Sequence, residues 1–111
     1  LAALTFDEDD KAQAHFSLAL SLRPNMHMAW LYKGRVLQKR QQYSQALADM
    51  RKALEIAPDY TPAYLALIPL LRQQGLNAEA ASYLDVGLRT VAQPDELAVL
   101  RPPKPIEDHV R

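Results

Sequence analysis

Between His27 and Tyr60 the hydrophobic positions fall into two helical stripes separated by a polar turn. Trp30, Leu31, Gly34 and Leu37 recur at the spacing of one helix face, and Ala46, Leu47, Met50, Ala53 and Leu54 form a second such face. Gln41 and Gln42 lie between them, where an αα-hairpin needs its turn. Pro58 closes the second helix, because its ring removes a backbone donor.

The same pattern returns with a period of 34 residues. One period earlier, Ala12, Phe16, Ala19 and Pro24 stand in the places of Ala46, Met50, Ala53 and Pro58. This predicts a helix of the second type from about Asp9 to Arg23. One period later, Tyr64, Leu67, Ala80, Leu84 and Gly87 take the corresponding places. Thr61-Pro62 reads as a helix start, with a capping hydroxyl and proline in the first turn. Gly75 is placed to end that helix and Asn77 to begin the next. Ile68 occupies the place of Gly34, and Pro69 follows inside the helix. Such a proline costs about 3 kcal/mol in an ordinary helix, so a kink is expected that makes room for Ile68. Ala92 holds the exit position, with Pro94 two residues on.

The unit 27–60 resembles a tetratricopeptide repeat. The family's aromatic, small, alanine, large, alanine and proline places are held by Trp30, Gly34, Ala46, Met50, Ala53 and Pro58. Lys33 stands where that family usually has leucine and Leu37 where it has tyrosine. The resemblance implies an all-α fold of antiparallel helix–turn–helix repeats stacked as a right-handed α-solenoid. It divides the chain into a partial repeat at 1–26, mainly its second helix, and full repeats at 27–60 and 61–94. A short capping helix is expected at 95–101 and a proline-rich extended tail at 102–111. Only Leu1 to Thr5 represent the first helix of the partial repeat, so the chain is expected to be a fragment of a larger repeat protein. Phe16 and Leu20 are then expected to be partly uncovered. Phe16, Tyr64, Ala80 and Leu84 join the six residues above as the repeat-packing set.

Composition narrows the chemistry. The chain has 111 residues, nearly half of them hydrophobic, which suits one small packed domain. Thirteen basic residues balance thirteen acidic ones, so no bulk attraction to nucleic acid or anionic membrane is predicted. Without cysteine there is no disulfide, thiolate nucleophile or zinc–thiolate site. No apolar run is long enough to span a bilayer, and no signal peptide is read at Leu1. Nothing in the sequence names a compartment; a soluble segment is expected, cytoplasmic slightly ahead of periplasmic.

No catalytic motif is visible, and no nucleophile is paired with a base, so an enzyme is not expected. No cofactor or metal is expected either. The run Asp7-Glu8-Asp9-Asp10 could be a calcium loop, but it lacks the alternating ligands and glycine of one. Carboxylates capping a helix N-terminus account for it better. Met26-His27-Met28 could hold a soft metal; a capping histidine flanked by packing methionines is the plainer account. Residues 27–60 carry six basic side chains against three acidic ones, while 1–26 are acidic by two charges. Lys39, Arg40, Arg51 and Lys52 could therefore form a basic patch for nucleic acid, although no aromatics are interleaved.

A surface remains. In the family the inward places of each first helix line a concave groove. Carried over, these are Met28, Leu31, Arg35 and Gln38, then Pro62, Leu65, Pro69 and Arg72, with Tyr32 and Lys33 at the border. Leu31 and Leu65 could equally be core, and Arg35 and Arg72 a solvated face. Chaperone-binding members clamp a peptide C-terminus with lysine and asparagine; Leu31, Arg35, Leu65 and Pro69 stand here instead, so that clamp is not implied. The expected function is a non-catalytic scaffold binding a peptide or partner protein in the groove. The alternative is an assembly segment whose repeats stack on further repeats or self-associate. The tail from Arg101 to Ile106 could fill a groove of its own or of a neighbouring copy.

Overall fold

The computed structural model describes residues 8–101; the expectations for Leu1 to Thr5, for Asp7 and for the tail at 102–111 lie outside them. Six helices follow in order: α1 (Glu8–Leu22), α2 (His27–Lys39), α3 (Tyr43–Ile56), α4 (Thr61–Gln73), α5 (Asn77–Thr90) and α6 (Asp95–Ala98). The described residues contain no strand. Each of the five long helices packs on the next in sequence, and α6 sits on both α4 and α5. The connections are short, so neighbours run antiparallel.

The close approach of α2 and α3 has a residue-level cause. A Cβ built on Gly34 would stand 3.0 Å from Met50 Cγ and 3.1 Å from the Ala46 carbonyl oxygen. Met50 and Ala46 have no exposed surface, so glycine alone lets α2 lie this near α3. In the next pair Ile68 takes Gly34's place and is fully buried. Pro69 lies within α4, which runs unbroken from Thr61 to Gln73; its ring faces out while Ile68 and Leu70 on either side are buried. The core continues through Leu31, Leu37, Tyr64, Leu67, Leu70, Leu71 and Leu97, all essentially without exposure. Each such side chain contributes about 1.5–3 kcal/mol by leaving water.

The turns repeat as the helices do. Gln41 has φ +65° and Gly75, one period later, φ +80°. At each turn the next amide reaches five residues back, Gln42 to the Leu37 carbonyl (2.9 Å) and Leu76 to the Leu71 carbonyl (2.8 Å). These are Schellman closures, which place one residue in the left-handed region. Glycine adopts it freely at 75; glutamine at 41 does so under strain.

The helix starts differ from the expectation in detail. Thr61 is the first residue of α4 and Tyr60 precedes it as N-cap, without a side-chain capping bond. The Thr61 hydroxyl is therefore not the cap. Likewise Met26 is the N-cap of α2, and the His27 ring stands edge-on to Tyr60 at 4.6 Å rather than capping. Leu20 is buried, contrary to the expectation that it would be partly uncovered, whereas Phe16 is half-buried beside Tyr32 as expected, ring centroids 5.8 Å apart. The large apolar side chains that α1 exposes are Leu18 (60%) and Leu22 (74%).

Two substitutions test this packing. Gln41→Gly relieves the left-handed strain and is expected to stabilise the chain by about 1 kcal/mol, read as a higher melting midpoint. Gly34→Val forces Met50 and the α3 backbone away and is expected to cost about 1–3 kcal/mol in urea unfolding.

Candidate functional site

A cleft of about 420 Å³ opens between the first helices of the two complete pairs. α2 supplies Arg35 and Gln38, and α4 supplies Pro62, Leu65, Ala66 and Pro69. Its register is set where the repeats join. Trp30 Nε1 donates to the Pro24 carbonyl at 2.8 Å, and the Tyr64 hydroxyl donates to the Pro58 carbonyl at 2.6 Å. Donor and acceptor are each one period apart, so one device fixes α2 on the end of α1 and α4 on the end of α3. Arg35 also acts on Tyr60, whose hydroxyl is raised above the usual tyrosine range by burial and by the neighbouring Tyr32, with Arg35 pulling it back. Arg35 itself is exposed and forms no ion pair with a described residue. The cleft thus presents one cation, an amide and an apolar floor.

Not every residue carried over from the family lies there. Arg35, Gln38, Pro62, Leu65 and Pro69 do. Leu31 is fully buried in the core and offers no surface to a ligand. Met28 is exposed but lines a separate hollow with His15, Phe16, Ala19 and Tyr32, between α1 and α2. Arg72 is held away: its Nη2 donates to the Leu100 carbonyl at 2.6 Å, tying the segment after α6 to α4. It lines a hollow on the α5 side with Asn77, Asp85 and Leu88. Ala66, which lines the cleft, and Tyr60, which Arg35 influences, were not singled out from the sequence. Ala66 follows Leu65 on a face that helical spacing alone assigns to neither groove nor core, and Tyr60 closes a repeat instead of opening one.

The four residues of the supposed basic patch are engaged in structure. Lys39 Nζ lies 3.1 Å from Asp9, Arg40 Nη2 2.6 Å from Asp10, and Lys52 Nζ 3.3 Å from Glu55. Arg51 grips Glu79 with two bonds of 2.7 and 2.9 Å, joining α3 to α5. All four members of the supposed basic patch therefore reach carboxylates. Asp9 and Asp10 serve as partners for α2, and no group of carboxylates or histidines among the described residues could hold a metal ion.

Lys33, the departure from the family's leucine, lies 5.3 Å from the Trp30 ring centroid and 3.7 Å from Asp49 Oδ2. That oxygen is buried and has no hydrogen-bond partner among the described residues. Burial pushes the Asp49 carboxyl above the usual carboxylate range, against the pull of Lys33.

The tetratricopeptide repeat model matches residues 27–60. The chain is a tetratricopeptide repeat protein. This repeat chain is 33% identical over 87 residues to the Hsp70-Hsp90 organizing protein of Triticum aestivum, a match that takes in 78% of this chain and 15% of that protein. The chain thus spans a small part of the curated relative it matches. The crystal structure of MamA protein superposes with a TM-score of 0.69 at 21% identity, over 89% of this chain and 52% of that one, a likeness of fold. No helix among the described residues is long and apolar enough to cross a membrane.

Asp49 gives a pH prediction. Its folded-state pKa is raised, so its favourable contribution is full below the unfolded value and is lost as pH rises through the folded one. On lowering the pH from 7 towards 4, wild type is expected to gain stability relative to Asp49→Asn, measured by paired urea titrations.

Proposed function

We propose that this chain is a non-catalytic scaffold that takes an extended segment of a partner protein between α2 and α4. The observation that carries the reading is the cleft itself, where Arg35 and Gln38 face Pro62, Leu65 and Pro69 across an apolar floor. An extended segment presents alternate side chains, so one acidic residue can meet Arg35 while an apolar neighbour sits on Leu65. The lysine–asparagine clamp of chaperone-binding repeats has no counterpart at Leu31, Arg35, Leu65 and Pro69, so the C-termini of Hsp70 and Hsp90 are not the expected ligands. Nucleic acid is disfavoured by the pairing of Lys39, Arg40, Arg51 and Lys52 with carboxylates. An assembly role has its own support in the exposed Leu18 and Leu22 of α1.

Peptides selected from a display library against the chain test the groove. They are expected to carry an acidic residue next to an apolar one. Arg35→Glu is expected to weaken them by roughly tenfold or more with the melting midpoint unchanged, since Arg35 is exposed. Equal binding by wild type, Arg35→Glu and Leu65→Lys would remove the groove reading. Arg72→Ala, by contrast, is expected to leave affinity intact and cost about 1–2 kcal/mol of stability through the loss of its bond to Leu100.

A further inference from the structure

The contact between α3 and α5 shows how one second-type helix receives the next. Arg51, Leu54, Glu55 and Pro58 of α3 and its exit face Ser82, Tyr83 and Val86 of α5 around a hollow of about 560 Å³. The Arg51–Glu79 ion pair spans it. Moving the α5 side of this contact back by two periods lands on Lys11, Ala14, His15 and Leu18 of α1. Those four, with Asp10, line an open and almost wholly apolar hollow of about 290 Å³. The incoming half of the contact is therefore present on α1, where Ala14, His15 and Leu18 are exposed and Lys11 pairs with Glu8 of the same helix.

Moving the α3 side forward by one period lands on Asp85, Leu88, Arg89 and Ala92 of α5 and its exit. Asp85 and Ala92 are exposed, and Leu88 is half-buried in the hollow beside Asp85. α6 occupies the start of a following first helix and covers Gly87, where Leu97 Cδ1 would stand 2.7 Å from an added Cβ. It leaves Asp85 and Ala92 open. The receiving half is thus at the other end of the same chain.

The two halves match in charge. In the internal contact Arg51 of the receiving helix holds Glu79 of the incoming one. Between ends, Asp85 stands in the place of Arg51 and Lys11 in the place of Glu79. The signs are exchanged together, so the pair remains attractive. At the junction of α1 and α3 the same two places hold Ser17 and Gln45, which are neutral. The apolar partners match as well: Val86 beside Leu54 and Pro58 becomes Leu18 beside Leu88 and Ala92. Both end ion pairs are local and replaceable, Lys11 with Glu8 at 3.8 Å and Asp85 with Arg89 one turn on.

We propose that copies of this chain stack head to tail, the Lys11–Leu18 face of α1 in one copy resting on the Asp85–Leu88–Ala92 face of α5 in the next. This rests on the assembly reading and not on what the groove holds. The contact is heterologous, so association does not close at two copies but continues end to end.

Sedimentation velocity of the whole chain over about a hundredfold range of concentration tests it by mass action. Wild type is expected to grow steadily in mass with concentration, and Leu18→Glu, at an exposed site, to remain monomeric with unchanged helicity and melting midpoint. Lys11→Glu or Asp85→Lys alone is expected to weaken association by roughly tenfold, and the two reversals in one chain to restore it. The decisive mixture is Leu18→Glu with Ala92→Glu. Each variant blocks one end and is expected to be monomeric alone, while together they form a dimer through the intact pair of faces. A wild type that stays monomeric throughout overturns the assembly reading as well, and leaves the α1 face to a preceding repeat of a longer chain. A dimer that stops at two, or a mixture that fails to associate, overturns the head-to-tail arrangement alone.

Discussion

Two proline carbonyls, those of Pro24 and Pro58, hold the stack in register. Each lies just past the end of a second-type helix, where the last carbonyls have no partner within the helix. Each accepts a hydrogen bond from an aromatic tip on the following first helix, Trp30 Nε1 in one case and the Tyr64 hydroxyl in the other. The ring bodies fill the space between helices while their polar ends satisfy the chain exit. Indole and phenol differ in reach and chemistry, yet both span the same six residues. With α2 and α4 anchored alike, the cleft between Arg35 and Leu65 follows from that arrangement without any residue dedicated to shaping it.

Charge performs a second, related task. Lys39 and Arg40 at the end of α2 reach back to Asp9 and Asp10 at the start of α1, and Arg51 reaches forward from α3 to Glu79. These pairs are exposed or half-exposed, so each is worth little in isolation, about 0–1 kcal/mol. Their effect is on register, because they link successive second-type helices or a first helix to the one before it. Lys33 and Asp49 form the buried exception. A carboxyl raised by burial and a cation 3.7 Å away stand where a hydrocarbon contact would be simpler, and such a pair is no guarantee of stability.

The helices, the turns and the close approach at Gly34 were legible because they rest on local chemistry: stripe spacing, proline exits and small residues recurring with one period. The left-handed turn residue was legible at Gly75 and hidden at Gln41, since nothing in a glutamine announces a positive φ. The groove was legible in part. A place on a helix carries over from one repeat to the next, but depth of burial does not. Leu31 went to the core as part of one buried cluster with residues of α2, α3, α4 and α5, and Arg72 turned to the Leu100 carbonyl because a short helix follows α5. The partners of Lys39, Arg40 and Arg51 lie 28 to 30 residues away in sequence, beyond the reach of any window of spacing.

A stack of this kind draws its stability from each neighbour in turn, so its two ends determine where it opens first. At the α5 end, Leu97 is fully buried on Gly87 and Tyr64, and Arg72 fixes the chain after α6. At the α1 end the described helix is held by Leu20, by half-buried Phe16 and by two surface ion pairs, while Leu18 and Leu22 face water. α1 is therefore the element that opens most easily, and the one with most to gain from a neighbour. The charged places that join α3 to α5 reappear with their signs exchanged at the two ends. In the proposed head-to-tail assembly, the device that makes one repeat receive the next within the chain is thus the same one that seats a second chain.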